Sequence, residues 1–283
     1  MKSNLYHVSF PYLGINVNIN PIAFAIGPMR VRWYGIILAT GFLTAFIYVY
    51  LRADRFKVNR EDLTNVIIFG TMCGILGARL YYVVFYPDNF YKLNPQKIFN
   101  IYEGGMAIYG GIIAGLLGGI IVSKLKRVKI LSALDLCSLG LFLGQAIGRW
   151  GNFFNQEAFG NETKLPWGMS SEATKNITVH PCFLYESLWC ILGFAILHIL
   201  SNSKRLQEGT YFISYILWYG IGRAFIESFR TDSLMIINAK VSQLFSLILV
   251  FVSICIIIFK HIKVKNLRMA INKFKNIIKH KKG

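Results

Sequence analysis

Seven apolar windows, near 31–50, 63–86, 106–123, 130–147, 182–200, 210–229 and 240–259, limit what this chain can fold into. Each approaches the roughly 20 residues a helix needs to cross a bilayer. Lipid offers no partners to backbone N–H and C=O groups, so such windows must satisfy them internally, as helices. The pattern predicts an all-α polytopic membrane protein with about seven transmembrane helices. Some windows are imperfect because they carry ionisable residues: Arg79 in the second, and Arg223 and Glu227 in the sixth.

The charges lie between the windows. The formal balance is +18, from 31 Lys/Arg against 13 Asp/Glu, an excess that in a soluble chain would suggest nucleic acid. Here the basic residues gather in short loops, "RADRFKVNR" (52–60), "SKLKRVK" (123–129) and "SNSKRL" (201–206), and in a tail from Lys260 to Gly283 with nine Lys/Arg and no acid. That is the pattern of cytoplasmic loops, and no nucleic-acid partner is expected. The segments 87–105, 148–181 and 230–239 are mixed in charge and rich in Gly, Asn, Pro and aromatics. Alternation of the two loop types puts the N-terminus outside and the C-terminus in the cytoplasm, which an odd number of spans satisfies.

Three regions follow: an extracytoplasmic segment 1–30, a transmembrane domain 31–259 with a polar extracytoplasmic insertion at about 148–181, and a basic cytoplasmic tail 260–283. Pro11, Pro21 and Pro28 surround patches such as "INVNI" and "AFAI", which predicts irregular structure or short strands before the first span. The first residues have no continuous apolar core and no small-residue cleavage site, so no removable signal peptide is expected. The tail "NLRMAINKFKNIIKH" suits an amphipathic helix on anionic lipid or a solvated disordered segment. The glycines of "GGMAIYGGIIAGLLGG" (104–119) suit close helix packing, or a backbone niche for a lipid or peptide. Cys73, Cys137, Cys182, Cys190 and Cys255 are scattered without metal-ligand spacing, and neither a metal site nor a disulfide framework is expected.

Ionisable groups at membrane depth normally face a cavity or a partner. In "YGIGRAFIESFRTD", Arg223, Glu227 and Arg230 stand at i, i+4 and i+7, which places all three on one helical face. Two arginines around one glutamate leave a positive charge that calls for a further anion. The stretch "GRWGNFFNQEAFG" (148–160) adds Arg149 with Asn152 and Asn155, among Trp150 and three phenylalanines. A guanidinium presents a planar fork of donors matched to phosphate oxygens. Arg149, Arg223 and the asparagines therefore suit a phosphate headgroup near the bilayer edge. Arg79, in "GARLYY", suits a structural role, snorkelling included. Candidate proton handlers are Tyr34, Tyr109, Glu157 and the "HPCFLYE" group His180, Tyr185 and Glu186. His180 before a proline also suits a helix cap, and Tyr34 beside Trp33 an interfacial belt.

"GRWGNFFNQE" (148–157), "GGMAIYGG" (104–111), "HPCFLYE" (180–186), "RWYG" (32–35) and "GRAFIESFR" (222–230) together resemble the bacterial phosphatidylglycerol–prolipoprotein diacylglyceryl transferase family, over about residues 20 to 260. The resemblance implies seven spans in the bacterial plasma membrane, the N-terminus outside. It implies transfer of diacylglyceryl from phosphatidylglycerol to the lipobox cysteine of a prolipoprotein signal peptide, with a thioether formed, glycerol 1-phosphate released and no metal or organic cofactor. Arg149 matches the arginine implicated in lipid binding; Asn152, Glu157, Arg223, Glu227 and Tyr34 match polar positions needed for activity. Asn155 and Arg230 are further candidates for the substrate site, and Glu157, His180 and Tyr109 for catalysis. The family's proposed mechanism often uses a histidine where this chain has Tyr109, and phenols ordinarily titrate near 10, high for a base at neutral pH. A monomer is expected. Buried Arg and Glu would also suit a transporter, but that class predicts an internal repeat, and the two halves of the sequence do not pair.

Overall fold

The computed structural model describes residues 5–280, apart from 28, 89, 101–103, 204–205, 232–234 and 237–238, with side chains described as far as Ile262. Pro28 and the side chains of the basic tail beyond Ile262 thus lie outside the described residues.

Two antiparallel hairpins precede the first span, where irregular or short-strand structure was expected: β1 (Tyr6–Phe10) with β2 (Ile15–Ile19), and β3 (Ile22–Ile26) with β4 (Met29–Arg32). The helices are α1 (Trp33–Arg52), α2 (Arg60–Val84), a short α3 (Phe90–Leu93), α4 (Ile108–Leu125), α5 (Ile130–Asn155), α6 (Cys182–Ser203), α7 (Thr210–Phe229) and α8 (Val241–His280), with a two-residue hairpin β5 (Met235–Ile236) and β6 (Ala239–Lys240) before α8. Every apolar window of the sequence has become a helix. Among the described residues six are long and apolar enough to cross a membrane. The remaining window is α7, 20 residues long, whose apolarity is lowered by polar residues that include Arg223 and Glu227. At 1.5 Å per residue it still reaches about 30 Å.

The chain divides into two compact units, residues 1–46 with 138–283, and residues 47–137. In the second, α2 and α4 approach at glycines. A Cβ on Gly77 would stand 2.2 Å from that of Ala114, and one on Gly110 would stand 2.3 Å from Tyr81 Cβ and 2.4 Å from Gly77 O. Helices pack this closely in lipid through dispersion between backbones, since lipid tails provide no hydrophobic drive. For Gly110, Gly111, Gly115 and Gly118 the packing reading of the glycine run therefore describes the structure. Asn59 caps α2, its Oδ1 accepting from the N–H groups of Glu61 (2.9 Å) and Asp62 (3.1 Å).

In the first unit, α6 and α7 are locked by Trp189 and Trp218. Their rings stack with centroids 4.4 Å apart, and each indole donates to the other's carbonyl, at 2.8 and 2.9 Å. Each ring lies over a glycine of the opposite helix: a Cβ on Gly222 would meet Trp189 Nε1 at 2.1 Å, and one on Gly193 would meet Trp218 Nε1 at 2.6 Å. Ser187 Oγ donates to Ala146 O at 2.8 Å and ties α6 to α5. Beyond the end of α5 the chain adds to the first hairpin, with Ser9 bridging Ser170 and Val179 bridging Met169 and Glu162. Beneath these strands Val8, Ile19, Met169 and Phe183 form a core joined by Phe153, Phe154 and Phe159. The phenylalanines of "GRWGNFFNQEAFG" pack against that core.

Gly110→Val should force α2 and α4 apart. Overpacking of this kind costs about 1–3 kcal/mol, and the measurement is a lowered melting temperature of the purified protein in detergent.

Candidate functional site

α5 continues to Asn155, further than its apolar window, so the polar stretch that begins at Gly148 starts on a helix rather than in a loop. That places Arg149 on the last turns of α5, facing Glu186 on the second turn of α6. Arg149 Nη2 lies 2.6 Å from Glu186 Oε2. Arg223, on α7, reaches the other oxygen, with Nη1 2.9 Å from Glu186 Oε1, and its Nη2 lies 2.7 Å from Glu227 Oε2. Arg230 Nη1 is 3.7 Å from Glu186 Oε1. One carboxylate thus gathers three guanidiniums from different parts of the chain.

Two expectations about this cluster need correction. Arg230 does not share the helical face of Arg223 and Glu227: α7 ends at Phe229, and Arg230 is its C-cap with extended backbone. It is brought in by an antiparallel bridge to Gly160. Nor does Glu227 lie between two arginines of its own helix; its ion pair is with Arg223, while Arg230 turns to Glu186. The hub, Glu186, appears in the sequence only as one of several proton handlers. Its signal was there: a carboxylate inside the apolar window 182–200 needs a cation.

Among the described residues, Arg149, Arg223 and Arg230 against Glu186 and Glu227 leave one positive charge. The two carboxylate side chains are 4% and 1% exposed, whereas the arginines keep 21%, 15% and 13%. The acids are sealed inside and guanidinium edges remain accessible, so the cluster can still take an anion. Tyr219, one turn before Arg223, feels the charges of Arg149, Glu186 and Arg223, a neighbour that sequence reasoning missed. Lys240 fixes the end of α7, its Nζ donating to Glu227 O at 2.7 Å, Ser228 O at 3.1 Å and Arg230 O at 2.5 Å. A cation on terminal carbonyls also complements the helix dipole.

A second polar group follows α5. Asn152 Nδ2 donates to Glu157 Oε1 at 2.9 Å and Asn155 Nδ2 to the same oxygen at 3.4 Å, so both amides hold the glutamate. Gln156 and Ala158, on either side of Glu157, have left-handed backbones at φ 52° and 59°. Non-glycine residues adopt that region at an energetic cost, and only where surrounding contacts impose it. Tyr34 connects the two groups: it feels the charges of both Glu157 and Arg149, and its ring lies on Gly151, where a Cβ would stand 2.8 Å from Tyr34 Cδ2.

His180 has its own side-chain partners. Trp167 Nε1 donates to Tyr185 Oη at 2.8 Å, and Tyr185 Oη lies 3.1 Å from His180 Nδ1. An indole N–H can only donate, so the phenol accepts from it and has its own hydrogen to give to His180 Nδ1. The imidazole also packs on Phe229, centroids 4.8 Å apart, and burial pushes its pKa below the usual histidine value. Tyr109 and Arg79 belong to the second unit. Tyr109 is the second residue of α4, and Arg79 is on α2, where its partners are carbonyl groups of the chain before α4.

A family model described as prolipoprotein diacylglyceryl transferase matches residues 21–259, which include the arginine cluster and the Glu157 group. The chain belongs to the prolipoprotein diacylglyceryl transferase family. Its relatives include a protein of Listeria monocytogenes, 40% identical over 272 residues that span 93% of this chain and 98% of the relative. A Listeria innocua protein is 40% identical over 254 residues, 87% of this chain and 91% of its own. One from Staphylococcus aureus is 39% identical over 263 residues, 89% and 93% of the two. All three bear the name phosphatidylglycerol–prolipoprotein diacylglyceryl transferase.

Glu186→Gln should raise the excess charge of the cluster and leave guanidiniums without their carboxylate. Breaking a buried pair in this way costs about 3–5 kcal/mol, and a large fall in detergent melting temperature is expected. His180 should make stability pH-dependent. Its folded pKa is depressed, so its contribution is complete above the unfolded value of about 6.5 and is lost as pH falls through the folded pKa. The melting temperature should therefore drop more between pH 7 and 5 in the native protein than in His180→Gln.

Proposed function

We propose that this chain transfers the diacylglyceryl group of phosphatidylglycerol to the lipobox cysteine thiol of prolipoproteins. The sulfur attacks the sn-3 carbon of the diacylglyceryl group, an S–C bond forms, the C–O bond to phosphate breaks, and glycerol 1-phosphate leaves with the bonding pair. The observation that carries this reading is the arginine cluster around Glu186, whose described members hold one positive charge in excess and keep guanidinium edges accessible. Phosphatidylglycerol brings one negative charge, which the cluster lacks, and a second develops on the phosphate as it departs. Donors already in place where that charge grows are the most effective form of catalysis available to such a site.

Arg149 and Arg223 clamp the phosphate, Glu227 orients Arg223, and Arg230 holds the outer end of the substrate. Asn152, Asn155, Glu157 and Tyr34 line the neighbouring position. The thiol proton goes to Tyr109, Glu157 or His180, since the thiolate is the nucleophile. Among these, His180 has its Nδ1 engaged with Tyr185, whereas Glu157 is held as an acceptor by two amides. Tyr109 is assigned from the motif it occupies. The protein acts as a multi-pass monomer of the plasma membrane, its N-terminus outside. The basic loops support that orientation, since they fall between α1 and α2, α4 and α5, and α6 and α7.

The test uses purified protein, phosphatidylglycerol and a lipobox peptide. Arg149→Lys, which keeps the charge but loses the fork, should reduce turnover roughly 100-fold. Near-normal turnover would overturn the phosphate clamp.

A further inference from the structure

Arg79 is 8% exposed on α2 and donates to four backbone carbonyls. Its Nε donates to Ile98 O at 2.7 Å, Nη2 to Lys97 O at 2.7 Å, and Nη1 to Gly104 O and Gly105 O at 2.8 and 2.9 Å. Tyr91 and Tyr82 flank the guanidinium, their ring centroids 5.4 and 5.9 Å from its central carbon. Snorkelling does not describe such a residue, because a snorkelling arginine gives its donors to water and phosphate. Four of the five donors fixed in one plane have instead been spent on the chain that leads to α4.

The consequence falls on Tyr109. Gly104 and Gly105 have left-handed backbones at φ 86° and 80°, which turns their carbonyls onto the same Nη1. A Cβ on Gly105 would stand 2.6 Å from Arg79 Nη1 and 2.6 Å from Tyr82 Cε1. Two residues later Ala107 N donates to Ala78 O at 3.0 Å. Gly110 then presses on Gly77 O and Tyr81 Cβ. Gly77, Ala78, Arg79 and Tyr81 of α2 thus hold the chain on both sides of Tyr109, and Arg79 is the only one that does so by side-chain hydrogen bonds among those described.

We propose that Arg79 is a positioning residue for the reaction: by clasping Gly104 and Gly105 it sets the height and direction from which Tyr109 is presented. This rests on the proposed part of Tyr109 in thiol deprotonation. Lysine cannot replace the arginine, because three donors on one nitrogen cannot reach four carbonyls in different directions.

The experiment is a double-mutant cycle on purified protein with phosphatidylglycerol and a lipobox peptide, melting temperatures being recorded for each variant. Arg79→Lys should lower kcat roughly 10- to 100-fold, as a misplaced catalytic group does, with the KM for phosphatidylglycerol within about twofold of native. Tyr109→Phe should lower kcat strongly. The double variant should be no slower than the slower single one, because a misplaced Tyr109 has little left to lose. Gly105→Ala, which keeps the guanidinium but intrudes on it, should reproduce the Arg79→Lys pattern and provides the cycle if that variant fails to fold. Losses that multiply in the double variant, or a lowered melting temperature with unchanged kcat in the folded fraction, would reduce Arg79 to scaffold. A Tyr109→Phe protein with native turnover would instead overturn the reading of Tyr109 itself, and this proposal with it.

Discussion

The Glu186 carboxylate holds the first unit's chemistry together. Arg149 comes from α5, Arg223 from α7 and Arg230 from the chain just beyond α7, and all turn to one side chain on α6. Isolated charges in an apolar body cost several kcal/mol each, and mutual pairing with good geometry is what makes them tolerable. The cluster therefore constrains three helices at once: none can rotate or slide without leaving a charge unpaired. The surrounding packing serves the same end. The Trp189–Trp218 pair fixes α6 against α7, and the Ser187 bond to Ala146 fixes α6 against α5, so the register that brings Arg149 and Arg223 to opposite oxygens is set by contacts outside the cluster.

The excess charge turns this arrangement from a scaffold into a site. A cluster with equal numbers of each sign would be complete in itself. Three cations against two anions among the described residues, with the acids sealed and the guanidiniums partly accessible, leave affinity for an anion. Glu157 shows a different device. Its carboxylate is held by two amides and its neighbours occupy strained backbone, as happens where a side chain must be aimed rather than merely tolerated.

Much of this was legible in residue order. The seven apolar windows became the long helices, because hydropathy and backbone satisfaction in lipid leave few alternatives. Arg149, Arg223 and Glu227 stood out as charges in or beside apolar runs, and Arg223 with Glu227 at i, i+4 form the ion pair their spacing implies. Arg230 was misread because helical periodicity was carried one residue too far, past the point where α7 stops at Phe229. Glu186 was noticed without its role, since its partners lie 37 residues away on either side, at Arg149 and Arg223. The amides of Asn152 and Asn155 were assigned to a phosphate, yet local chain reversal after α5 gives them to Glu157.

Sequence by itself determined that this is a membrane-spanning helical protein with guanidiniums at unusual depth, because both properties follow from residue type and local spacing. Which carboxylate those guanidiniums share was decided only by tertiary structure, as was the conversion of Arg79 from a stray charge into a clasp on four carbonyls. The reason is physical: a charge in an apolar body must find a partner, but the partner's identity depends on helix rotation and contact, and those are set by glycine-to-indole and glycine-to-glycine packing between segments far apart in the chain.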